Sequence, residues 1–500
     1  MTTLDLIVLL TYVVGVTGVG ALFYRRAATT EGFTLAGRRL SGWVLGLSIF
    51  GTYLSSISFL ALPGKAYATD WTVLAFALSL PLTAWVAARW FAPLYRSTGD
   101  ASAYAYLERR FGLWARLYAA SFYLLTQLAR MGTILFLVAL ALERLTGWEI
   151  AAIIVVTGAV VTFYTVVGGI EAVIWTDAVQ SVVLTIGAIV CALLLLFGMP
   201  EGPAQLLTIA AQHQKFSLGS FNLTLAAPTF WVVLIYGVVI NLQNFGIDQS
   251  YVQRYQTAKS LKAARRSIWI GSLIYLPVGA LFLFIGTALF AYYSAQPELL
   301  PATLKAEGMA DRIFPHFIVS QVPSGFTGLL IAALFAAAMS SLDTSLNSSA
   351  TILMTDFYRR LVRPDAGEAQ QLRFLRTATV GLGVLGTSTA LLMISIKSAL
   401  DAWWILAGIF SGGMLGLFLL GALSRRTGSV QAAIGMVLGI LVILWAVFSE
   451  ELGLPVANPF HSFMTTVLGT LTIFGVGLLL SRHRPQRTTK ATPAETIYDL

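Results

Sequence analysis

The sequence is poor in charge, in cysteine and in histidine, and each shortage excludes a class of protein. Asp, Glu, Lys and Arg make up 11% of the 500 residues, whereas a soluble protein would carry about a quarter. The single cysteine, Cys191, excludes an intramolecular disulfide. The four histidines lie between apolar runs or in the tail and form no motif. The composition therefore argues against a soluble protein, and against an enzyme that depends on histidine or cysteine chemistry.

Apolar residues are abundant instead. They make up 57% of the chain, and the mean hydropathy is +0.78. Runs of about 20 apolar residues, long enough to cross roughly 30 Å of hydrocarbon, recur throughout. The sequence predicts an all-α polytopic membrane protein, a single membrane domain with about 13 transmembrane helices. The predicted spans are 4–24, 42–64, 71–96, 115–145, 150–169, 176–198, 229–248, 267–293, 323–357, 373–396, 402–422, 430–449 and 462–481.

Basic residues are concentrated in alternate connections between these spans. They cluster within 25–39, 96–116, 254–266, 359–376, 425–426 and 482–487, with Arg254 counted in a cytoplasmic connection. By the positive-inside rule, this pattern predicts an outside N-terminus and a cytoplasmic C-terminus in a multi-pass protein of the cell (inner) membrane. Much of the net charge of +9 is therefore topological. A nucleic-acid partner is excluded, and the sequence indicates the lipid bilayer but no obligate protein partner.

Two predicted spans are unusually rich in small and polar residues. Span 42–64 contains Gly51, Ser55 and Ser58, and span 229–248 contains Asn241 and Gln243. One interpretation is that such residues only let helices pack closely. The other is that both helices are broken and bind ions and substrate, as in transporters built from inverted repeats. The spans lie five helices apart, as the first helices of two five-helix repeats would, which favours the second interpretation.

This spacing divides the single transport domain into five parts. They are an extra N-terminal helix (1–40), a first repeat (41–200), a second repeat (226–424), two C-terminal helices (425–482) and a cytoplasmic tail (483–500).

Span 323–357 carries six hydroxyl groups and an aspartate in the segment AAAMSSLDTSLNSS. Ser340, Asp343, Thr344 and Asn347 follow i, i+3, i+4, i+7 spacing and share one helix face. Asp177, near the start of span 176–198, is expected at a similar inner depth. Hydroxyl, carboxylate and carbonyl oxygens suit a hard cation, for which sodium is the expected ion. Alternatively, the hydroxyls bond to their own helix and Asp343 forms a tight interhelical hydrogen bond or carries a proton.

Arg130 is a second intramembrane charge. It lies about fifteen residues into span 115–145, on the outer side of the midplane, so direct pairing with Asp177 or Asp343 is not expected. Its guanidinium offers a fixed fork for a substrate carboxylate. The alternative is a structural role as a donor to helix carbonyls.

Several of these stretches resemble a known family. GGIEAVIWTDAVQ, DQSYVQRY and AAAMSSLDTSLNSSATILMTDFY are similar to signatures of sodium:solute symporters, the family of sodium/glucose, sodium/proline and sodium/sialic acid cotransporters. LSSISFLALPGKAYATDW and SAYAYLERRF most resemble bacterial sodium-coupled sialic acid transporters. The resemblance runs from the first span to about Arg426. It implies a leucine-transporter-like fold of two inverted five-helix repeats, alternating access, and sodium (Na+) as the co-transported ion without an organic cofactor.

The resemblance also implies residues for ion binding. A common sodium site would use the carbonyls of Gly51, Leu54 and Ala337 and the hydroxyls of Ser340 and Ser341. A second sodium site, present in some members, would use Asp177, Ser340, Asp343 and Thr344. Sialic acid members resemble this chain less here, because they carry serine at the position of Asp343.

The implied substrate residues are Ser55, Ser58 and Arg130, to which the second broken span adds Asn241 and Gln243. The pocket differs from that of sialic acid transporters at three positions, Tyr53, Ala77 and Gly237. The predicted function is sodium-coupled import of a carboxylated sugar or other small organic anion. A sodium/neutral sugar symporter of the glucose type is the alternative, and a channel or a sensor is less favoured because the polar residues cluster at two depths.

Overall fold

A computed structural model describes residues 2–306, 308–395 and 412–482, and this part of the chain is helical, without strands. Its helices are α1 (Thr3–Ala21), α2 (Thr30–Leu35), α3 (Gly42–Tyr53), α4 (Ser56–Ala68), α5 (Leu74–Leu78), α6 (Leu80–Val86), α7 (Ala92–Thr98), α8 (Ala105–Phe111), α9 (Leu113–Thr146), α10 (Ile150–Phe197), α11 (Pro203–Gln212), α12 (Phe230–Ile247), α13 (Gln249–Thr257), α14 (Leu261–Ala295), α15 (Ile313–Ser320), α16 (Phe326–Ile352), α17 (Glu368–Met393), α18 (Met414–Leu423), α19 (Ser429–Phe448) and α20 (Met464–Ser481). A π-helical turn, Ala87–Phe91, joins α6 to α7, and a second, Leu353–Val362, extends α16.

Ten helical segments in the described residues are long and apolar enough to cross a membrane, and eleven if the bent pair α3 and α4 counts as one. This confirms a polytopic helical membrane protein. The predicted span 402–422 lies partly outside the described residues, with α18 forming its end, and the predicted tail 483–500 lies wholly outside them.

The break predicted in span 42–64 falls between α3 and α4. Leu54 leaves helical geometry with φ −90° and ψ 97°, and the two helices are bent by 58°. The Ser55 hydroxyl accepts a hydrogen bond from the Ser58 backbone N–H at 3.5 Å and so caps the start of α4. A serine-rich sequence therefore supplies the cap that a helix starting inside a membrane requires.

The break predicted within span 229–248 lies at its end, because α12 runs without interruption from Phe230 to Ile247 through the polar stretch. The chain leaves helical geometry at Asp248, which separates α12 from α13. Asp248 is extended (φ −70°, ψ 126°), and its carboxylate accepts a hydrogen bond from the Ser250 N–H at 2.7 Å. The interruption follows the polar stretch that contains Asn241 and Gln243. The short helix α13 then folds back into the protein, where all of its residues are buried.

Helix α10 changes direction at Gly169. This residue has φ 57° and ψ −157°, and a Cβ there would lie 2.9 Å from the Phe33 carbonyl oxygen. Only glycine adopts this conformation without strain. The break coincides with the end of the predicted span 150–169, and the 48 residues of α10 would extend for roughly 70 Å if straight.

Helix α16 lies at the centre of the molecule. It is buried along almost its entire length and packs against α1, α3, α9 and α10. At its N-terminal end, the Asp5 carboxylate of α1 accepts hydrogen bonds from the N–H groups of Gly325 (2.7 Å) and Gly328 (3.0 Å). The same carboxylate accepts from the N–H of Thr2, so Asp5 caps two helices at once and fixes the position of α16.

Candidate functional site

The first group of predicted ion ligands meets where the broken end of α3 faces α16. The Ser340 hydroxyl donates to the carbonyl oxygens of Gly51 at 3.0 Å and Ala337 at 3.3 Å, and the Ser341 hydroxyl donates to Ala337 at 3.4 Å. Leu54, also buried, is the first residue beyond α3, where its carbonyl leaves the helical direction. A cation placed here would find hydroxyl and carbonyl oxygens within a small buried volume.

The hydroxyl groups farther along α16 bond to their own helix. The Ser345 hydroxyl donates to the Ser341 carbonyl at 2.8 Å and reaches Gln127 of α9 at 2.7 Å. The Ser348 hydroxyl donates to the Thr344 carbonyl at 2.6 Å. For these two residues the structure agrees with the alternative interpretation of the hydroxyl cluster, namely local back-bonding and helix packing.

Arg254 lies at the centre of the second group. As counted from the sequence, it belongs to the connection between two spans, those of α12 and α14, but the expectation of a cytoplasmic loop residue is wrong because the side chain does not face water. Its side chain is fully buried, and its Nη2 donates to Asp177 Oδ2 at 2.6 Å and to Thr344 Oγ1 at 2.7 Å. Its Nε donates to Ser48 Oγ at 2.7 Å, and its Nη1 donates to the Ser250 carbonyl at 2.5 Å. One guanidinium therefore joins α3, α10, α13 and α16. The reason for the error is that α13 packs against these helices instead of entering water.

Asp343 lies on the same helix as Thr344 but has different partners. Its Oδ2 accepts from Tyr164 Oη at 2.7 Å and from Thr176 Oγ1 at 3.3 Å. It makes no ion pair with any residue that the structure describes. The Oδ1 atoms of both Asp343 and Asp177 are buried without a hydrogen-bond partner in the described part of the chain. Unpartnered buried acceptors are costly unless a cation or proton completes them.

Arg130 projects from α9 towards the break between α3 and α4. It is partly buried, and its Nη2 donates to the Thr52 carbonyl at 3.1 Å. As predicted, it forms no ion pair with Asp177 or Asp343. The acidic group within its electrostatic range is Asp248, at the second break. Arg130 therefore lies between the two helix breaks, and hydrogen-bonding partners among the described residues occupy only one of its N–H donors, through the Thr52 carbonyl.

Asn241 and Gln243, the predicted substrate residues of span 229–248, are buried. The side-chain amide of Asn241 is hydrogen-bonded through both its oxygen and its nitrogen. Asn241 accepts a hydrogen bond from the Tyr53 hydroxyl and donates to Ser79 Oγ at 2.8 Å and to the Phe76 carbonyl at 3.2 Å. The Oε1 atom of Gln243, by contrast, is buried and has no hydrogen-bond partner in the described chain. Tyr53 thus connects the two broken helices through Asn241.

Two of the positions at which the sequence is expected to differ from sialic acid transporters, Gly237 and Ala77, lie in a closely packed contact. A Cβ on Gly237 would lie 2.9 Å from the Phe76 backbone and 3.0 Å from Ser79 Oγ, so α12 packs directly on α5 and its end. Ala77 of α5 is also buried. Between them, small residues bring α5 against α12 where larger side chains would separate them.

Arg254 and Ser48 are the residues that sequence reasoning missed. Arg254 lies in DQSYVQRY, a stretch already singled out, and a polar stretch that follows a broken membrane helix is a signal that the chain has not yet reached water. Ser48 stands in an apolar context with no comparable signal; its hydroxyl donates to Asp177 Oδ2 at 2.6 Å.

Comparisons with known proteins agree with this architecture. The Sodium:solute symporter family profile matches residues 33–439. The sodium/sialic acid symporter NanT of Aliivibrio fischeri is 36% identical over 95% of this chain and 92% of its own, and SiaT of Proteus mirabilis is 34% identical over 93% and 94%. A solved structure of a Na+-coupled sialic acid symporter, substrate-bound and outward-open, covers 98% of this chain and all of its own at 30% identity, with a TM-score of 0.91.

Proposed function

The chain belongs to the sodium:solute symporter family, and we propose that it imports a sialic-acid-like carboxylated sugar together with sodium by alternating access. The observation that carries this proposal is Arg130, which lies between the two helix breaks and makes a single hydrogen bond, to Thr52, with the residues that the structure describes. A guanidinium with free donors in a mostly apolar region suits a substrate carboxylate, to which it can make two parallel hydrogen bonds. The two sialic acid symporters above support the choice of substrate class.

The first sodium ion is assigned to the contact between α3 and α16. We assign it the carbonyls of Gly51, Leu54 and Ala337 and the hydroxyls of Ser340 and Ser341. Support comes from the direct contact of Ser340 with Gly51 across the two helices at 3.0 Å. Because the ion would bridge both helices, its binding is coupled to their relative position, as alternating access requires.

A second cation is assigned to the region of Asp177, Ser340, Asp343 and Thr344. Support comes from the unpartnered Oδ1 atoms of the two aspartates. Two carboxylates facing one arginine leave one negative charge uncompensated, and such a charge is expensive inside a membrane.

The substrate pocket is assigned to Arg130, Ser55 and Ser58 of the first break and to Asn241 and Gln243 of the second. The carboxylate end would meet Arg130, while the uncommitted Gln243 Oε1 can accept from a sugar hydroxyl. A neutral sugar is the second candidate, because the Tyr53 ring, which packs against Tyr275 with centroids 4.5 Å apart, can stack on a sugar without any charge.

The finer topology is also a proposal. Counting α10 as two spans divided at Gly169, the bent pair α3 and α4 as one, and α18 as the end of a further span gives thirteen helices. These would form an extra first helix (1–40), two inverted repeats (41–200 and 226–424) and two last helices (425–482), with the N-terminus outside. The complete burial of α13 supports a closed cytoplasmic side.

The experiment is uptake into proteoliposomes of purified protein, with sodium or potassium outside. A panel of sialic acids, other sugar acids and neutral sugars is offered, and counterflow of labelled solute separates a carrier from a channel. We expect uptake of a sugar acid that requires sodium. Uptake that is unchanged in potassium rejects sodium coupling, and uptake of neutral sugars alone rejects the carboxylated substrate.

A further inference from the structure

Two fully buried aspartates contribute to the proposed second cation site, and they are not equivalent. Asp177 lies on α10 and Asp343 on α16. Each aspartate is followed or preceded by a threonine that contacts the other side of the cluster: Thr176 contacts Asp343, and Thr344 contacts Arg254, the partner of Asp177. Thr176 donates to Asp343, while Thr344 accepts from the guanidinium that binds Asp177. The two carboxylates therefore belong to one polar cluster between these helices.

Asp177 already has a permanent cationic partner. Its Oδ2 atom accepts from Arg254 Nη2 at 2.6 Å and from Ser48 Oγ at 2.6 Å. The arginine is itself held by three further hydrogen bonds, to Thr344, Ser48 and the Ser250 carbonyl. Since neither side chain of the ion pair is exposed, removing the arginine from Asp177 would leave an isolated charge in a medium of low dielectric constant.

Asp343 has only neutral partners. Tyr164 and Thr176 donate to its Oδ2, and no described basic side chain forms an ion pair with it. Its Oδ1 is buried without a hydrogen-bond partner in the described part of the chain, as is Asn347 Nδ2 one helical turn further along α16. Hydroxyl donors orient a carboxylate but leave its charge in place, so an ionised Asp343 has no opposite charge in direct contact among the described residues.

We propose that the two aspartates have separate roles: Asp343 supplies the charge that holds the second co-transported cation, and Asp177 is the counter-charge of Arg254. The inference rests on the proposed sodium symport and sharpens its second site. The neutral pair of Asp177 and Arg254 has no negative charge left to offset an added cation. A monovalent cation beside that pair and the hydroxyls alone would bring net positive charge into the cluster, whereas Asp343 makes the cluster neutral once the cation is bound.

Arg254 is then a positioning residue. It holds Asp177 Oδ2 and Thr344 Oγ1, which leaves Asp177 Oδ1 free to face the cation as a ligand without acting as its counter-charge. Its hydrogen bonds also connect α13 to α10 and α16. The same side chain therefore holds both the cation cluster and the buried helix α13 in position.

The test compares Asp343→Asn with the charge-balanced double variant Asp177→Asn/Arg254→Gln in proteoliposomes. The readouts are the sodium dependence of uptake and the charge moved per substrate. We expect Asp343→Asn to change a sigmoidal sodium dependence to a hyperbolic one and to lower the charge moved by one. We expect the double variant to keep the number of ions and the charge moved per substrate, but at a lower sodium affinity. It removes one charge of each sign, and asparagine at position 177 still offers an amide oxygen, whereas Arg254 no longer holds Thr344 in place.

Tyr164→Phe is the matched control, since it removes a hydrogen bond from Asp343 but not the charge. It should shift the sodium affinity without changing the number of ions. Should the double variant not fold, the comparison of Asp343→Asn with Tyr164→Phe still tests the role of Asp343. Stabilisation of both variants by sodium against heat can be measured in detergent, without transport. There, Asp343→Asn should lose the weaker of two sodium-binding phases.

Three outcomes overturn the inference. In the first, Asp343→Asn keeps the sigmoidal dependence and the full charge. In the second, the folded double variant loses them. In the third, the wild type itself is hyperbolic and moves a single charge, which removes the second cation but leaves sodium symport standing. A wild type that needs no sodium at all contradicts the proposed function itself, and so the two failures are distinguishable.

Discussion

Two arginines within the membrane-spanning region, Arg130 and Arg254, differ in almost every contact. Arg254 is fully buried and directs four N–H donors of its guanidinium to protein oxygens. Arg130 is partly exposed and directs one donor to a single carbonyl, that of Thr52. A guanidinium has five N–H donors in all. The first arginine is therefore nearly saturated by the protein, and the second has capacity for a ligand.

The number of guanidinium donors that bond to protein oxygens distinguishes a structural arginine from a ligand-binding one. Depth in the membrane distinguishes the two less well. A saturated, paired arginine contributes by joining helices, and its loss leaves a partner without compensation. An unsaturated arginine contributes only when a ligand completes its hydrogen bonds. The following substitutions test whether this division holds, beginning with the largest expected effect.

Replacing Arg254 by methionine should destabilise the protein most. The substitution leaves Asp177 as an uncompensated buried charge, which typically costs about 3–5 kcal/mol. We expect a large fall in the thermal unfolding temperature of the purified protein in detergent, with or without sodium. The control is Arg360→Met, the same change at a half-exposed arginine that pairs with Glu108, where little change in unfolding temperature is expected. Equal stability of both variants would contradict the assignment of Arg254.

Replacing Arg130 by alanine should leave folding intact and abolish tight substrate binding. Truncating one partner of a buried charge pair costs about 2–5 kcal/mol. This corresponds to a loss of about thirty- to several-thousand-fold in affinity. Arg130→Lys should be impaired nearly as much, because it keeps the charge without the fork. Substrate binding is measured by calorimetry, and stabilisation by sodium alone serves as the control.

If Arg130→Ala keeps its substrate affinity, or loses folding and sodium stabilisation together, then Arg130 resembles Arg254 and the comparison fails. The neutral-sugar alternative would then become the better one.

The two arginines also show how far the sequence could predict the molecule. Polar residues in an apolar run are visible without a structure, and so the break at Leu54, the oxygen cluster on α16 and the unpaired Arg130 were predictable. Arg254 was not, because a basic residue just beyond a predicted span has the same pattern as a cytoplasmic loop residue. Its burial depends on the tertiary packing of α13, which no local period encodes. The contacts of Asp177 with Arg254 and Ser48 could not be predicted for the same reason.

Ser341→Ala tests the first sodium site, which contains neither arginine. Ser341 makes only a weak contact with its own helix, to Ala337 at 3.4 Å, so little stability should be lost. Loss of one ligand of hydrogen-bond strength is worth about 0.5–1.5 kcal/mol. We expect the sodium concentration for half-maximal uptake to rise roughly two- to tenfold. Ser349→Ala is the matched control, a buried serine on the same helix whose hydroxyl has no hydrogen-bond partner among the described residues. A rise that is equal in both variants would contradict a ligand role for Ser341.

Tyr53→Phe should have the smallest effect, and it tests the pocket around Arg130 without touching a charge. The Tyr53 hydroxyl donates to Asn241 Oδ1, so its removal frees one acceptor while the ring keeps its contacts with Phe245 and Tyr275. Asn241 remains held by Ser79 and Phe76. A change of about 0.5–1.5 kcal/mol, or at most roughly tenfold in substrate affinity, is expected, with sodium dependence unchanged. Tyr275→Phe, which removes a hydroxyl from the neighbouring ring, should change the affinity less. If Tyr53→Phe alters sodium dependence instead, the Tyr53–Asn241 contact belongs to the ion-coupled movement of the broken helices and not to substrate selection.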